Sequence, residues 1–254
     1  MSLVAAESLS QASTVQLSGN AESGGAGRSQ FLKQWLTLSP KFELVTEESS
    51  LRAEVEQYIG CKFESNYGAS LTEFLPLFLT LRCSGQLSAS AGISLGSASK
   101  KFFLEQYLDA SIESELEQFC GEEVRREQLA EIGNLVATTL GASRLMFIIL
   151  ASILNQAGYE WMVFTAAKPL LRSLQKMGFE TRVIAEAKPA RLDANSHAYW
   201  GSYYDNRPQV VAGRLSNAQE AVEARSLFNL VQNFYQSEIG SLAIDVRQQG
   251  RSDA

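Results

Sequence analysis

The chain has 254 residues, 45% of them hydrophobic and 20% charged, so it is long and apolar enough to bury a large core. Its 22 basic and 28 acidic residues give a net charge of −6, which argues against a nucleic-acid partner because such proteins carry a basic surface. The three cysteines are widely spaced and there is one histidine, so neither a metal site nor a disulfide scaffold is predicted. This cysteine usage fits a reducing compartment, and we expect a cytoplasmic protein.

Composition divides the chain into three parts. Residues 1–40 begin with a serine- and glycine-rich stretch that lacks aromatic residues, and we expect them to form a disordered tail. Residues 41–215 alternate between strand and helix patterns, which predicts one mixed α/β domain. Residues 216–254 are predicted to form an amphipathic helix and a flexible end. We expect no transmembrane segment, since the longest apolar run, 145–154, is well short of the roughly 20 residues that a span needs.

The first half of the domain is predicted to form a helix followed by a hairpin. Apolar residues at helical spacing predict a helix over Leu51–Tyr67. Two strands are predicted at Phe74–Leu81 and Leu87–Leu95, and the turn residues Cys83–Gln86 between them favour an antiparallel hairpin. Short helical or irregular pieces follow up to Gly121.

The second half alternates regularly between strands and helices. Strands are predicted at Gln128–Ala137, Trp161–Thr165 and Thr181–Ala185. Between them lie an apolar helix over Ser143–Gln156 and a second helix that begins at Pro169 and ends at Gly178. This order predicts a sheet with helices packed on it.

The C-terminal part contains one further amphipathic pattern, beyond Asn217. Its apolar residues fall on one helix face: Val222, Leu227, Leu230, Val231 and Phe234. We expect this face to pack on the domain or on a second copy of the chain, as in a homodimer. A membrane-surface helix is disfavoured because the polar face is acidic.

The arrangement of residues 128–179 resembles the GNAT superfamily of N-acyltransferases. That resemblance implies a mainly antiparallel central sheet flanked by helices, with a splayed cleft between the strands at about 128–137 and 161–165. It also implies that the break before the apolar helix binds the phosphates of acyl-CoA, because unpaired N–H groups and the helix dipole attract anions. The residues at this break are Thr138, Gly141, Ala142, Ser143 and Arg144. A solvated side chain is the alternative for Arg144.

Over roughly residues 42–215 the chain resembles a narrower group, the bacterial thermostable hemolysin family. The resemblance rests on Phe103–Leu108, Glu131–Leu135, Gly158–Trp161 and Trp200–Asp205. The family name describes a lytic phenotype, whereas the family's fold is similar to that of GNAT enzymes and acyl-homoserine-lactone synthases. The resemblance therefore implies two functions, a membrane-lytic or lipid-binding protein and an acyltransferase.

Several polar residues are candidates for the chemistry of acyl transfer. Glu131, on an apolar strand, is the candidate general base, because a partly buried carboxylate has a raised pKa. The alternative is a structural pair with an arginine. Asn134 is a second catalytic candidate that would hydrogen-bond the donor or substrate, or else cap a strand end or a bulge. Thr165, Tyr203 and Tyr204 are the substrate-binding candidates.

These candidates lead to a specific functional hypothesis. The chain is expected to move an acyl group from a thioester, either acyl-CoA or acyl carrier protein, to a small amine. The thioester is a substrate, and no tightly bound cofactor is expected.

One rival signal points to a serine esterase. Gly92–Gly96 fits the G-x-S-x-G nucleophile pattern, and Asp193 and His197 follow in the order that a catalytic triad requires. Too few strands precede the serine for the parallel sheet that this motif needs. We therefore expect Ser94 to be an ordinary strand residue.

Overall fold

The central feature of the structure is one mixed sheet. The computed structural model describes residues 2–3, 40–192 and 199–252, and these form an eight-stranded sheet in the order β2-β3-β4-β5-β1-β6-β8-β7. The strands are β1 Ser2–Leu3, β2 Lys41–Val45, β3 Leu77–Cys83, β4 Gln86–Leu95, β5 Leu129–Ala137, β6 Trp161–Ala166, β7 Arg182–Glu186 and β8 Gln209–Arg214. Most neighbouring strands are antiparallel, whereas β5 and β6 are parallel.

Helices cover both faces of this sheet. They are α1 Arg52–Tyr67, α2 Ile112–Cys120, α3 Leu140–Ala157, α4 Lys168–Lys176, α5 Leu215–Glu223, α6 Ser226–Phe234 and α7 Gln236–Ser252. One core cluster lies on the face that α3 covers, and a second lies on the face that α1 covers. The predicted mixed α/β class is therefore confirmed.

Helix α3 is the central helix of the first core. By length and composition it is apolar enough to cross a membrane, but 72% of it is buried inside the protein. It begins at Leu140, three residues before the predicted start. Thr139 is its N-cap, since the Thr139 side chain accepts a hydrogen bond from the Ala142 N–H at 3.1 Å.

The predicted hairpin is present as β3 and β4. Its turn residues Ser84 and Gly85 both have positive φ angles, 50° and 82°, which suits the two-residue turn of a twisted hairpin. Strand β3 begins later than predicted, at Leu77. The reason is that Pro76 has no N–H and Leu75 donates its own to the Asn134 side chain, so neither joins the ladder.

A bulge in β5 opens the gap between β5 and β6. These strands pair directly from Leu129 with Trp161 to Ile132 with Phe164, and beyond that they separate. The register between β4 and β5 shifts at this point, where Asn134 has a positive φ of 46°. An inserted residue bends its strand, which explains the separation. The predicted splay between these strands is confirmed.

The C-terminal part differs from the prediction, because it forms three helices in place of one. Helix α7 packs on α3 and continues to Ser252. Within α6 the buried residue is Gln232, whereas Leu230 and Phe234 are 42% and 60% exposed. The predicted apolar face therefore packs on the domain only in part: Val222 is buried and Val231 packs against the core, whereas Leu230 and Phe234 do not. The reason is Ser152 in α3, whose hydroxyl accepts a hydrogen bond from Gln232 at 2.9 Å and draws the polar side of α6 inward.

The predicted tail, residues 1–40, lies outside the described residues except for Ser2, Leu3 and Pro40. Ser2 and Leu3 form β1, which lies in the gap between β5 and β6. The predicted disorder of residues 4–39 lies outside the described residues and stays a prediction.

Candidate active site

Glu131 lies in β5 with its side chain fully buried. Its two carboxylate oxygens accept hydrogen bonds from the backbone N–H groups of Phe103 and Leu104, at 2.9 and 3.0 Å. These N–H groups are available because the first turn of a short helix, here the 3-10 helix Phe103–Tyr107, leaves them unpaired. Burial raises the pKa of Glu131, and the two N–H donors oppose that increase. None of the ion pairs between described residues includes Glu131, so the predicted alternative of an arginine partner is not observed.

Asn134 forms the bulge and is also fully buried. Its Oδ1 accepts a hydrogen bond from the Leu75 N–H at 3.0 Å, while its Nδ2 has no partner in the part of the chain that the structure describes. A side chain at Gly92 would come within 3.0 Å of the same Oδ1, so the site requires glycine there. A buried donor without an acceptor destabilises the fold by about 1–3 kcal/mol, which suggests that a ligand supplies the acceptor.

Thr165 lies in β6, on the other side of the gap. It is the second residue after Val163, which pairs with Glu131, so Thr165 and Glu131 point to the same face of the sheet. Its hydroxyl is buried and has no partner among the described residues. The hydroxyl of Ser90 in β4 is also buried and without a partner among the described residues, and sequence analysis did not single it out. A serine in an otherwise buried strand is the signal that points to it.

Two tyrosines meet on this face of the sheet. The hydroxyls of Tyr107 and Tyr204 are 2.5 Å apart. Burial raises the pKa of Tyr107, and burial raises the pKa of Tyr204 to about 12, so both hydroxyls stay protonated at neutral pH. Tyr203 is buried beside Tyr204 in a short 3-10 turn. Tyr107 was not predicted, although it lies in one of the family-like segments.

The break before α3 offers fewer anion-binding groups than predicted. Thr138 donates both its N–H and its hydroxyl to the Ser88 carbonyl. The Ala142 N–H is occupied by the Thr139 cap, and the side chains of Ala142 and Ser143 are buried. The N–H groups of Leu140 and Gly141 remain at the helix start, where no preceding turn can accept them.

Arg144 follows one turn into α3 and is half-buried. Its Nε has no hydrogen-bond partner among the residues that are described. A freely solvated side chain, the alternative for Arg144, would not bury this atom. The assignment of Arg144 to a phosphate therefore stays a prediction.

The rival esterase motif is not built as a nucleophile site. Ser94 lies inside β4 and pairs in register with Glu131, whereas a nucleophile serine needs a sharp turn between a strand and a helix. The prediction that Ser94 is a strand residue is confirmed. Asp193 and His197 lie outside the described residues.

Comparison with known families agrees with these features. The family model described as "Thermostable hemolysin" matches residues 45–219, which is more than half of the chain. This chain belongs to the thermostable hemolysin family. No curated protein matches the chain.

Solved structures resemble this hemolysin-family fold at low sequence identity. FeeM, an N-acyl amino acid synthase from uncultured soil microbes, is 14% identical with a TM-score of 0.50, over 73% of this chain and 96% of FeeM. The AHL synthase LasI is 11% identical with a TM-score of 0.48, over 72% of this chain and 93% of LasI. BjaI, a CoA-dependent acyl-homoserine lactone synthase, is 10% identical with a TM-score of 0.47, over 79% of this chain and 90% of BjaI. The likeness to FeeM shows a shared fold.

Proposed function

We propose that this member of the thermostable hemolysin family is an N-acyltransferase that moves an acyl group from a thioester to a small amine. The observation that carries the proposal is the gap between β5 and β6. A buried carboxyl lies beside this gap, and on its two sides lie polar groups of Asn134 and Thr165 that have no partner among the described residues. The shared fold with an N-acyl amino acid synthase supports the same chemistry.

Glu131 acts as the acid–base group in this proposal. The amine nitrogen attacks the thioester carbonyl carbon, the C–N bond forms, and the C–S bond breaks. Glu131 accepts the proton that the amine loses and returns it to the sulfur of the departing thiol. A carboxyl with a raised pKa suits both steps, because neither proton transfer is strongly uphill.

Asn134 and Thr165 bind the substrates. The unpartnered Asn134 Nδ2 donates a hydrogen bond to an oxygen of the donor, either the acyl carbonyl or an amide of its arm. Thr165 binds the substrate from β6, and the Tyr203–Tyr204 turn lines the same face.

The donor reaches this site across the start of α3. The N–H groups of Leu140 and Gly141 at that helix start are the groups that would meet a phosphate. Both acyl-CoA and acyl carrier protein present a phosphate on the same flexible arm, so the two donors share this chemistry. The proposal places the reaction in the cytoplasm and assigns the catalytic domain to residues 41–215.

A membrane-lytic or lipid-binding protein is the second candidate. The observation that favours it is α6, which exposes Leu230 and Phe234 on the surface. In that case the gap between β5 and β6 would carry no chemistry, and lysis would depend on α6.

Mass spectrometry of lipid extracts separates the two candidates. Cells that overproduce the native chain are compared with cells that produce Glu131→Gln at the same level. A new N-acyl product in the first extract, absent from the second, is the result that we expect. If no such product forms and the purified protein lyses liposomes, the acyltransferase proposal is wrong.

A further inference from the structure

Strand β1 occupies the gap between β5 and β6. Leu3 pairs with Leu135 of β5 and with Ala166 of β6, and Ser2 pairs with Thr165. The short strand is parallel to both neighbours and lies just beyond the last direct pair, Ile132 with Phe164. These two residues therefore complete the sheet where the bulge has opened it.

The gap binds an extended chain for a simple reason. Where β5 and β6 separate, the N–H and C=O groups on their facing edges lose each other as partners, and this part of both strands is buried. Buried backbone groups need hydrogen-bond partners, so an extended segment with amides on both sides fits the opening. A peptide segment is one such ligand.

The arm of acyl-CoA or of acyl carrier protein is another ligand of the same kind. It is a flexible chain that carries two amide groups, and it would use the same backbone groups of β5 and β6. We propose that β1 is an intramolecular occupant of this gap and must leave before the donor arm can enter. This inference rests on the acyltransferase function proposed above.

The block is expected to be weak and reversible. The net contribution of each backbone hydrogen bond is small, and β1 has two residues with which to form such bonds. Tethering to the domain raises the local concentration of β1 to about the millimolar range. An apparent dissociation constant is raised by the inverse of the open fraction. We expect β1 to leave the gap open about one tenth of the time, which weakens donor binding by about tenfold.

Leu3→Pro and Leu3→Ala form the matched pair of variants. Proline removes the backbone N–H and is not tolerated inside a central strand, whereas alanine keeps the N–H. In Leu3→Pro we expect faster hydrogen–deuterium exchange in 133–137 and 165–166. We also expect about tenfold tighter binding of an octanoyl-CoA thioether. Leu3→Ala should show neither change.

The two measurements distinguish failure of this inference from failure of the proposed function. If exchange in the gap and probe binding are the same in all three proteins while the probe binds, β1 is not the occupant and the acyltransferase proposal stands. If Leu3→Pro opens the gap but the probe binds none of the proteins, the acyltransferase proposal is wrong. The proposed competition between β1 and the donor arm is then wrong as well. If the gap opens and the probe binds all three equally, β1 does not compete with the donor.

Discussion

Glu131 and Glu105 are two carboxylates that hold the same 3-10 turn in different ways. Glu105 accepts a hydrogen bond from the Phe102 N–H at 2.8 Å and also forms an ion pair with Arg126 at 2.5 Å. The charge of Glu105 is therefore neutralised locally. Glu131 is held by two backbone N–H groups and lacks a cation among its observed contacts. Burial raises the pKa of Glu131, and Glu105 supplies a matched control carboxylate on the same turn.

Glu131→Gln should lower turnover about a hundredfold or more, which is typical of a lost general base. Glu105→Gln should lower the melting temperature instead, because it weakens the ion pair with Arg126 and leaves the base in place. Single-turnover rate and melting temperature are measured on the same preparation of each variant. Normal turnover of the folded fraction of Glu131→Gln would contradict the catalytic assignment.

The raised pKa of Glu131 also predicts a pH dependence of stability. Because burial raises this pKa above its ordinary value of 4.5 in the folded state, Glu131 favours folding most when it is protonated, below that value. Its contribution is lost as the pH rises through the raised pKa. The melting temperature of the native chain minus that of Glu131→Gln should therefore fall as the pH rises above 4.5. A difference that stays constant with pH would show that the carboxyl is not perturbed.

Asn134 combines a positive φ with a hydrogen bond to the Leu75 N–H. Asn134→Ala and Asn134→Gly both remove that bond, but only alanine is strained at this φ. We expect alanine to lower the free energy of unfolding by about 1–2 kcal/mol more than glycine does. Denaturant unfolding of the two variants measures the difference. Equal stabilities would mean that the bulge relaxes in the variants.

Helix α6 departs from the prediction that its apolar side packs on the domain. Periodicity shows that a helix has an apolar side, but it does not say which side faces the protein. In α6 the buried residue is the polar Gln232, which bonds to Ser152 and to Gln219, so that Val231 packs against the core while Leu230 and Phe234 stay exposed. The start of α3 is different, since Thr139 three residues before Ala142 is a capping signal that the sequence contains. The positive φ of Asn134 and the N–H donors that reach Glu131 from 27 and 28 residues away depend on tertiary contacts, so no local pattern predicts them.

The buried glutamine and the exposed phenylalanine of α6 predict an unusual pair of stability effects. Gln232→Ala should lower the free energy of unfolding by about 1–3 kcal/mol, because it leaves buried partners unsatisfied. Phe234→Ser should change it by no more than about 0.5 kcal/mol, because Phe234 is 60% exposed. Chemical denaturation tests both variants. A larger effect for the phenylalanine would mean that its face is covered in solution.

At the scale of the whole molecule, α3 decides how the protein should behave on extraction. Its apolar surface is used in the core, where Phe147 packs against Phe164 of β6 with ring centroids 6.4 Å apart. We therefore expect the protein to be extracted from cells without detergent. Fractionation of a lysate with and without detergent tests this expectation. Recovery from the membrane fraction only with detergent would contradict the packing of α3 and favour the lytic candidate.

Much of the whole fold could be predicted, because long apolar strands and helices dominate residues 128–186. Strands β5 and β6 lie within one residue of their predicted bounds, and their separation follows the family resemblance. The position of Ser2 and Leu3 inside the sheet could not be predicted. Two residues carry no periodicity, and their neighbours in the sheet lie more than 130 positions away in the chain.

The four direct residue pairs between β5 and β6 form a short seam in the sheet. Apart from β1, the sheet consists of two leaves, β2-β3-β4-β5 and β6-β8-β7. Among the described residues, the ladder that joins them runs along Leu129–Ile132 and Trp161–Phe164, with one more bond from the Glu160 N–H to the Gln128 carbonyl. Glu131 and Asn134 belong to one leaf and Thr165 to the other. Rotation about this short seam would change the separations across the gap together while each leaf keeps its own geometry. The angle between the leaves, more than any single side chain, then sets the width of the gap and so the thickness of the ligand that it can bind.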